Sequence, residues 1–279
     1  MAEFQVLLGD RVLVESPRWH DDRLVFSDWG AGEIVAVDLD GNAEVVANVN
    51  SVPFCIDRLP DGRLIVVSDS NLLVRAPDGS LTPYADLSPV STKPWNDIVI
   101  DGRGNIYVNN IGFDFPGGEF APGLVALVSP DGAVRQVADG LAFPNGMAVT
   151  QDNSTLLVAE SYGGRLTGFD IRPDGSLSNR RVWADLGEDA APDGICVDVE
   201  DAAWYASVPG KQCVRVAEGG EVLQTIESDR GCFACMLGGP EGRTLFAVGA
   251  TWPEAMTGGS RTGQVLTAEV GVPAAGWPH

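Results

Sequence analysis

Short apolar runs, rich in β-branched and aromatic residues, recur along this chain, each led by an acidic turn. The pattern reads Asp22-Arg23-Leu24-Val25-Phe26, then Asp61-Gly62-Arg63-Leu64-Ile65-Val66 and Asp101-Gly102-Arg103-Gly104-Asn105-Ile106-Tyr107-Val108. It returns as Asp152-Asn153-Ser154-Thr155-Leu156-Leu157-Val158, and more weakly at Asp201-Ala202-Ala203-Trp204-Tyr205-Ala206 and Glu241-Gly242-Arg243-Thr244-Leu245-Phe246. The leading positions 22, 61, 101, 152, 201 and 241 lie 39, 40, 51, 49 and 40 residues apart. Asp-Gly tolerates the positive φ of tight hairpins, and the runs that follow suit strands. Second turns at Asp40-Gly41, Asp78-Gly79, Asp131-Gly132 and Asp174-Gly175 divide many units again. Each unit therefore holds about four short strands, the period and content of a propeller blade. Six units predict an all-β, six-bladed β-propeller with four-stranded blades, one domain over residues 1–279. Helical periodicity is weak, and a β-sandwich would need six regularly spaced turns by coincidence.

Composition narrows the partners. The 279 residues carry 18 basic and 39 acidic side chains, a formal charge of −21. Such a surface repels phosphate backbones and anionic head groups, so neither nucleic acid nor membrane is expected as a partner. A hydrophobic share of 44% is that of a folded chain with a sizeable core, not of an acidic disordered one. The expected partner is a small-molecule substrate, and the expected state a monomer or small homo-oligomer. Met1 to Asp10 lacks the basic start and apolar stretch of a signal peptide, and no apolar run is long enough to cross a bilayer. Five scattered cysteines do not make a disulfide framework. The expected location is cytoplasmic.

In a propeller the innermost strands face a central channel. The position five to eight residues before each leading turn holds Glu15, Cys55, Asn96, Asn145, Asp193 and Cys235 in turn. Four of these six are carboxylates or carboxamides where a strand would ordinarily bury an apolar group, so the polar slots need a reason. Their surroundings are alike: Glu15-Ser16-Pro17, Trp95-Asn96-Asp97, Pro144-Asn145-Gly146 and Pro192-Asp193-Gly194. Asn and Asp beside Gly or Pro can be plain turn formers, but Glu15 is not a favoured turn residue. Two carboxylates and two amide carbonyls converging from four blades make an all-oxygen site with two negative charges. That chemistry suits one divalent cation, Ca²⁺ first, with Mg²⁺, Mn²⁺, Zn²⁺ or Fe²⁺ also accommodated.

These same segments resemble the senescence marker protein/regucalcin/gluconolactonase family. Glu15-Ser16-Pro17-Arg18-Trp19, Asn96-Asp97, Asn145-Gly146-Met147 and Pro192-Asp193-Gly194-Ile195-Cys196-Val197-Asp198 carry the likeness, supported by Ser178-Asn179-Arg180-Arg181 and Gly238-Gly239. The resemblance implies a six-bladed propeller with a central divalent metal held by Glu15, Asn145 and Asp193, while Asn96 contacts metal or substrate. It also implies a lactonase, or an organophosphate hydrolase like the related diisopropyl fluorophosphatase. Sugar-lactone members commonly carry an arginine two residues before the position of Asn96, where this chain has Pro94. Lys93 next to it points differently on a strand. The segment from Asn110 to Phe120, expected over the channel mouth, contains Phe113, Phe115 and Phe120. Both features point to a lactone or cyclic ester less polar than a sugar lactone, unless the aromatics only pack the loop down.

The rest of the chain offers little competing chemistry. The two histidines are His20 and His279, too few for a histidine-rich zinc site, and His20 would be the sole base of any Ser-His-Asp triad. Cys232-Phe233-Ala234-Cys235 has redox-motif spacing without a flanking βαβ unit, so burial in the sixth blade is the expectation. The leading expectation is metal-assisted hydrolysis, with Asp193 activating water or attacking directly and Asn96 orienting substrate. The alternatives are a metal-dependent phosphotriesterase and a non-enzymatic calcium- or ligand-binding propeller.

Overall fold

The computed structural model describes residues 2–252 and 260–278; His279 lies outside them. Its strands form six small sheets, a six-bladed propeller. The N-terminal strand β1 (Gln5–Arg11) is set aside for the last blade. The first blade is β2 (Val14–His20), β3 (Arg23–Asp28), β4 (Glu33–Val37) and β5 (Ala43–Asn48); the second is β6 (Phe54–Arg58), β7 (Leu64–Ser68), β8 (Asn71–Arg75) and β9 (Leu81–Asp86). The third comprises β10 (Trp95–Ile100), β11 (Ile106–Asn110), β12 (Gly123–Val128) and β13 (Val134–Leu141). The fourth comprises β14 (Pro144–Val149), β15 (Thr155–Glu160), β16 (Arg165–Ile171) and β17 (Leu177–Asp185). The fifth is β18 (Pro192–Asp198), β19 (Ala203–Ser207), β20 (Gln212–Val216) and β21 (Val222–Glu227). The sixth orders β22 (Gly231–Gly238), β23 (Thr244–Ala250), β24 (Gly263–Glu269) and then β1.

Two features depart from six identical four-stranded units. The ring is closed by pairing β1 with β24, and the fifth blade gains a two-residue strand, β25 (Ala274–Ala275), against β18. Among the described residues no helix is long and apolar enough to cross a membrane.

The six leading turns each join the innermost strand of a blade to the second, and the Asp-Gly turns at 40, 78, 131 and 174 join the third to the fourth. Since neighbouring strands are antiparallel, all of these turns lie on one face. The longer connections, and the starts of the innermost strands, lie on the other. The core is divided between blades rather than held within them. Along β10, Ile98 and Ile100 pack with Cys55 and Ile65 of the second blade, while Val99 packs with Met147 and Val149 of the fourth. This is the period-2 alternation of a strand, used here to serve two interfaces at once. Large side chains such as Trp95, Trp204, Phe54 and Phe246 are fully buried, each worth about 1.5–3 kcal/mol or more of apolar transfer.

Candidate functional site

Each of the four polar slots sits in a break of strand register. Between Glu15 and Arg18 the pairing partners run from Ser27 to Val25, so three steps on β2 oppose two on β3. The same one-residue excess falls between Trp95 and Ile98, between Pro144 and Met147, and between Pro192 and Ile195. A bulge leaves its extra residue outside the ladder and re-aims its side chain. Asn96, Asn145 and Asp193 lie inside such bulges and Glu15 opens its own. Cys55, in contrast, lies in a regular ladder with β7.

The side chains converge on a narrow cavity at the axis. Glu15, Cys55, Asn96, Asn145 and Cys235 all line it, with Gly194 standing next to Asp193. Its volume is about 10 Å³, close to what one water-sized sphere requires. A single water or ion fits; an organic substrate has to sit above. Glycine permits this convergence: a Cβ at Gly146 would lie 2.5 Å from Asp193 O and Ile195 N, and one at Gly194 would lie 2.3 Å from Ala234 Cβ.

The electrostatics are those of trapped carboxylates. Burial pushes Glu15 up to about 8, with Ser16 N–H and Arg18 opposing and Asp97 adding to the rise. Burial also raises Asp193 well above the usual carboxylate range, reinforced by Glu15 and Asp97. Asp193 Oδ1 is buried without a hydrogen-bond partner. Asn145 donates from Nδ2 to Ser161 Oγ at 3.3 Å, and Asn96 donates from Nδ2 to Pro144 O at 3.4 Å. Anchoring each amide by its NH₂ leaves the carbonyl oxygen as the end for a ligand. Glu15, Asn96, Asn145 and Asp193 are thus the residues that could hold a hard cation, and an orphaned buried carboxylate oxygen is the feature such an ion would satisfy.

The surrounding frame was not visible in the slot pattern. Asp97 accepts Met147 N–H at 2.9 Å, and Asp57 accepts Ile100 N–H at 2.7 Å, so each carboxylate clamps the inner strand of the next blade. Ser16 Oγ does the same for Ile56 N–H at 3.0 Å. Asn109, fully buried, accepts Asp97 N–H at 3.2 Å and donates to the Asn145 carbonyl, which makes it a brace behind the mouth. Ser161 donates to Pro192 O at 2.7 Å, linking the fourth blade to the fifth. The Asn-Asp pair at 96 and 97, and an Asp two residues beyond the second slot, were the available signals.

The loop from Ile111 to Pro122, expected over the channel mouth, does not line the axial cavity itself. Phe113 packs instead edge-on against Phe143 at 5.7 Å, and near Tyr162 at 6.2 Å, on the fourth blade. Phe115 and Phe120 join that cluster. Phe113 and Phe143 form a buried floor, whereas Phe115, Phe120 and Tyr162 remain exposed. Lys93 pairs with Asp114 at 2.8 Å and takes no place at the cavity. His20 ends β2 on the face opposite the bulges. Cys232 and Cys235 are free, buried thiols of the sixth blade.

A propeller with one polar, bulge-built axial site is the class that this geometry defines. A family model for the SMP-30/gluconolactonase/LRE-like region matches residues 13–251, and the chain belongs to that family. Regucalcin from Danio rerio is 25% identical over 244 residues, covering 85% of this chain and 82% of the relative. Diisopropyl-fluorophosphatase from Loligo vulgaris is 28% identical over 208 residues, covering 63% and 65%. A solved calcium-binding protein, regucalcin from Agrobacterium tumefaciens, shares the fold with a TM-score of 0.82 at 19% identity, over 98% of this chain and 95% of that one.

Proposed function

We propose that the protein is a divalent-metal-dependent hydrolase of a lactone or related cyclic ester, less polar than a sugar lactone. The observation that carries this reading is the buried, unpartnered Asp193 Oδ1 beside Glu15 at an ion-sized cavity. Glu15, Asn145 and Asp193 would hold the cation, with Asn96 completing the shell or orienting the substrate oxygen. Ca²⁺ is the first choice, in keeping with the calcium-binding relative. When bound, the cation supplies Lewis-acid polarisation of the ester carbonyl. Asp193 takes the proton of the attacking water, or attacks the carbonyl itself. The exposed rings of Phe115, Phe120 and Tyr162 offer a surface for an apolar substituent; Tyr162 directly follows Ser161, which accepts from Asn145.

The fluorophosphatase relative supports a second reading, phosphotriester hydrolysis at the same oxygen donors. Chelator-treated protein, resupplied with Ca²⁺ or Mn²⁺, is assayed on lactones bearing hydroxylated or aryl substituents, with a pH indicator reporting acid release. Metal-dependent turnover, faster on the aryl lactones, is expected. Asp193→Asn should lower the rate by about 10²-fold or more. Full activity in that variant removes Asp193 from its role. Turnover of paraoxon-type esters alone favours the second reading, and metal binding without turnover of either panel favours a binding protein.

A further inference from the structure

Arg18 is the buried cation of this site. It is 5% exposed and, among the described residues lining the axial cavity, the one basic side chain. Nη2 donates to Ile98 O at 2.7 Å and Nη1 to Pro17 O at 2.9 Å, which fixes the guanidinium plane. The same group stands 3.5 Å from Asp97 Oδ1 through Nη2 and 3.5 Å from Asp57 Oδ1 through Nε. The second oxygens of these carboxylates accept Met147 N–H and Ile100 N–H. Asp57 and Asp97 are therefore turned toward Arg18 and toward backbone of the next blade.

We infer that Arg18 is a charge-compensating positioning residue, which engages Asp57 and Asp97 as its own counter-ions and so keeps Asp97 out of the cation's shell. This rests on the reading that a divalent cation binds between Glu15 and Asp193. The charge arithmetic of the cluster supports it. Arg18 offsets part of the charge of two carboxylates that already accept backbone N–H groups, and Glu15 and Asp193 are left to match a doubly charged ion. Without Arg18, Asp97 would face the cation as an uncompensated negative group only one residue from Asn96. A cation given a third carboxylate is bound more tightly and polarises a carbonyl less. The positioning of Asp97 by Arg18 thus limits affinity in favour of Lewis acidity.

The test is Ca²⁺ titration calorimetry on chelator-treated wild type, Arg18→Met, Asp97→Asn and the double variant, with near-ultraviolet circular dichroism reporting the fold. Arg18→Met should tighten Kd by about tenfold or more, and Asp97→Asn should weaken it by a similar factor, since each changes one nearby unit charge in a poorly screened site. The double variant should return to within about threefold of wild type, because the two opposite unit-charge changes cancel when they add. A folded Arg18→Met protein with unchanged or weaker Kd overturns the assignment. Should Arg18→Met fail to fold, Arg18→Lys and Asp97→Asn decide: the lysine keeps the charge but loses the fork that holds both carboxylates, so its Kd should tighten, and a weaker Kd in the lysine or an unmoved Kd in Asp97→Asn overturns the assignment. A wild type that binds neither Ca²⁺ nor Mn²⁺ removes the metal reading and this inference together. Binding by wild type with both substitutions silent removes this inference alone.

Discussion

Glu160 takes no part in the chemistry, yet it fixes the corner from which Ser161 and Tyr162 project. Its carboxylate is fully buried and accepts Arg165 Nε at 3.0 Å, Arg165 Nη2 at 2.9 Å, Ala142 N–H at 2.7 Å and the Thr167 hydroxyl, with Arg180 at 3.3 Å. Burial alone would raise its pKa; the Arg165, Ala142 and Thr167 hydrogen bonds overcome that and hold it below the ordinary value of 4.5. A carboxyl whose folded pKa is depressed adds stability that is complete above its unfolded pKa. That contribution disappears as pH falls through the folded value. Glu160→Gln should therefore cost about 3–5 kcal/mol at neutral pH, because two arginines lose the buried charge they were built around. The gap to wild type should narrow steadily once the pH drops below about 4. Urea unfolding of both proteins at neutral pH and across the acid range measures this. Coincident midpoints at neutral pH would show that the cluster contributes nothing.

The repeated element is the bulged inner strand, and its glycines are as necessary as its polar residues. Gly146 and Gly194 follow Asn145 and Asp193 directly, and a methyl group at either would meet the adjacent inner strand at 2.3–2.5 Å. Neither has positive φ, so the constraint is spatial. Gly146→Ala and Gly194→Ala should each destabilise by about 1–3 kcal/mol through overpacking and also weaken Ca²⁺ binding, whereas Gly271→Ala, with nothing within 4 Å, should do neither. Thermal unfolding and calorimetry separate the three; a Gly194→Ala protein as stable and as tight as wild type would mean that the blades can part without cost. The repeat also explains what could be read from the chain alone. Turns led by an acidic residue are local and announce themselves, so six blades are countable. The slots were legible because the bulge recurs at nearly the same distance from each turn. Arg18, Asp97, Asn109 and Ser161 were not, since each acts on a partner in another blade that only closure of the ring supplies. The packing of the loop after β11 escaped for the same reason: the rings that hold it, Phe143 and Tyr162, belong to the next blade.

At the scale of the molecule, the ring is joined by strands from opposite ends of the chain. β1 pairs with β24 in the sixth blade, and its last residue reaches into the first, where Arg11 Nε meets Asp28 Oδ2 at 2.8 Å. Asp28 is fully buried and also accepts Val12 N–H at 3.3 Å and Leu13 N–H at 3.2 Å. Removing residues 2–11 therefore does two things: it bares the edge of β24, an open template for pairing with another chain, and it strips a buried carboxylate of its cation. Because Glu15 begins four residues beyond Arg11, the same cut loosens the strand that brings it to the axis. The truncated protein should self-associate in sedimentation velocity, lose a single cooperative unfolding transition, and bind Ca²⁺ at least about tenfold more weakly, as expected when the competent conformation is no longer the dominant one. A synthetic peptide of residues 2–12 added in trans should recover the sedimentation of the intact protein and the binding together, by completing the sheet as a fourth strand. A truncated chain that sediments and binds Ca²⁺ like wild type would show that five blades and a three-stranded remnant suffice to hold the axial residues in place.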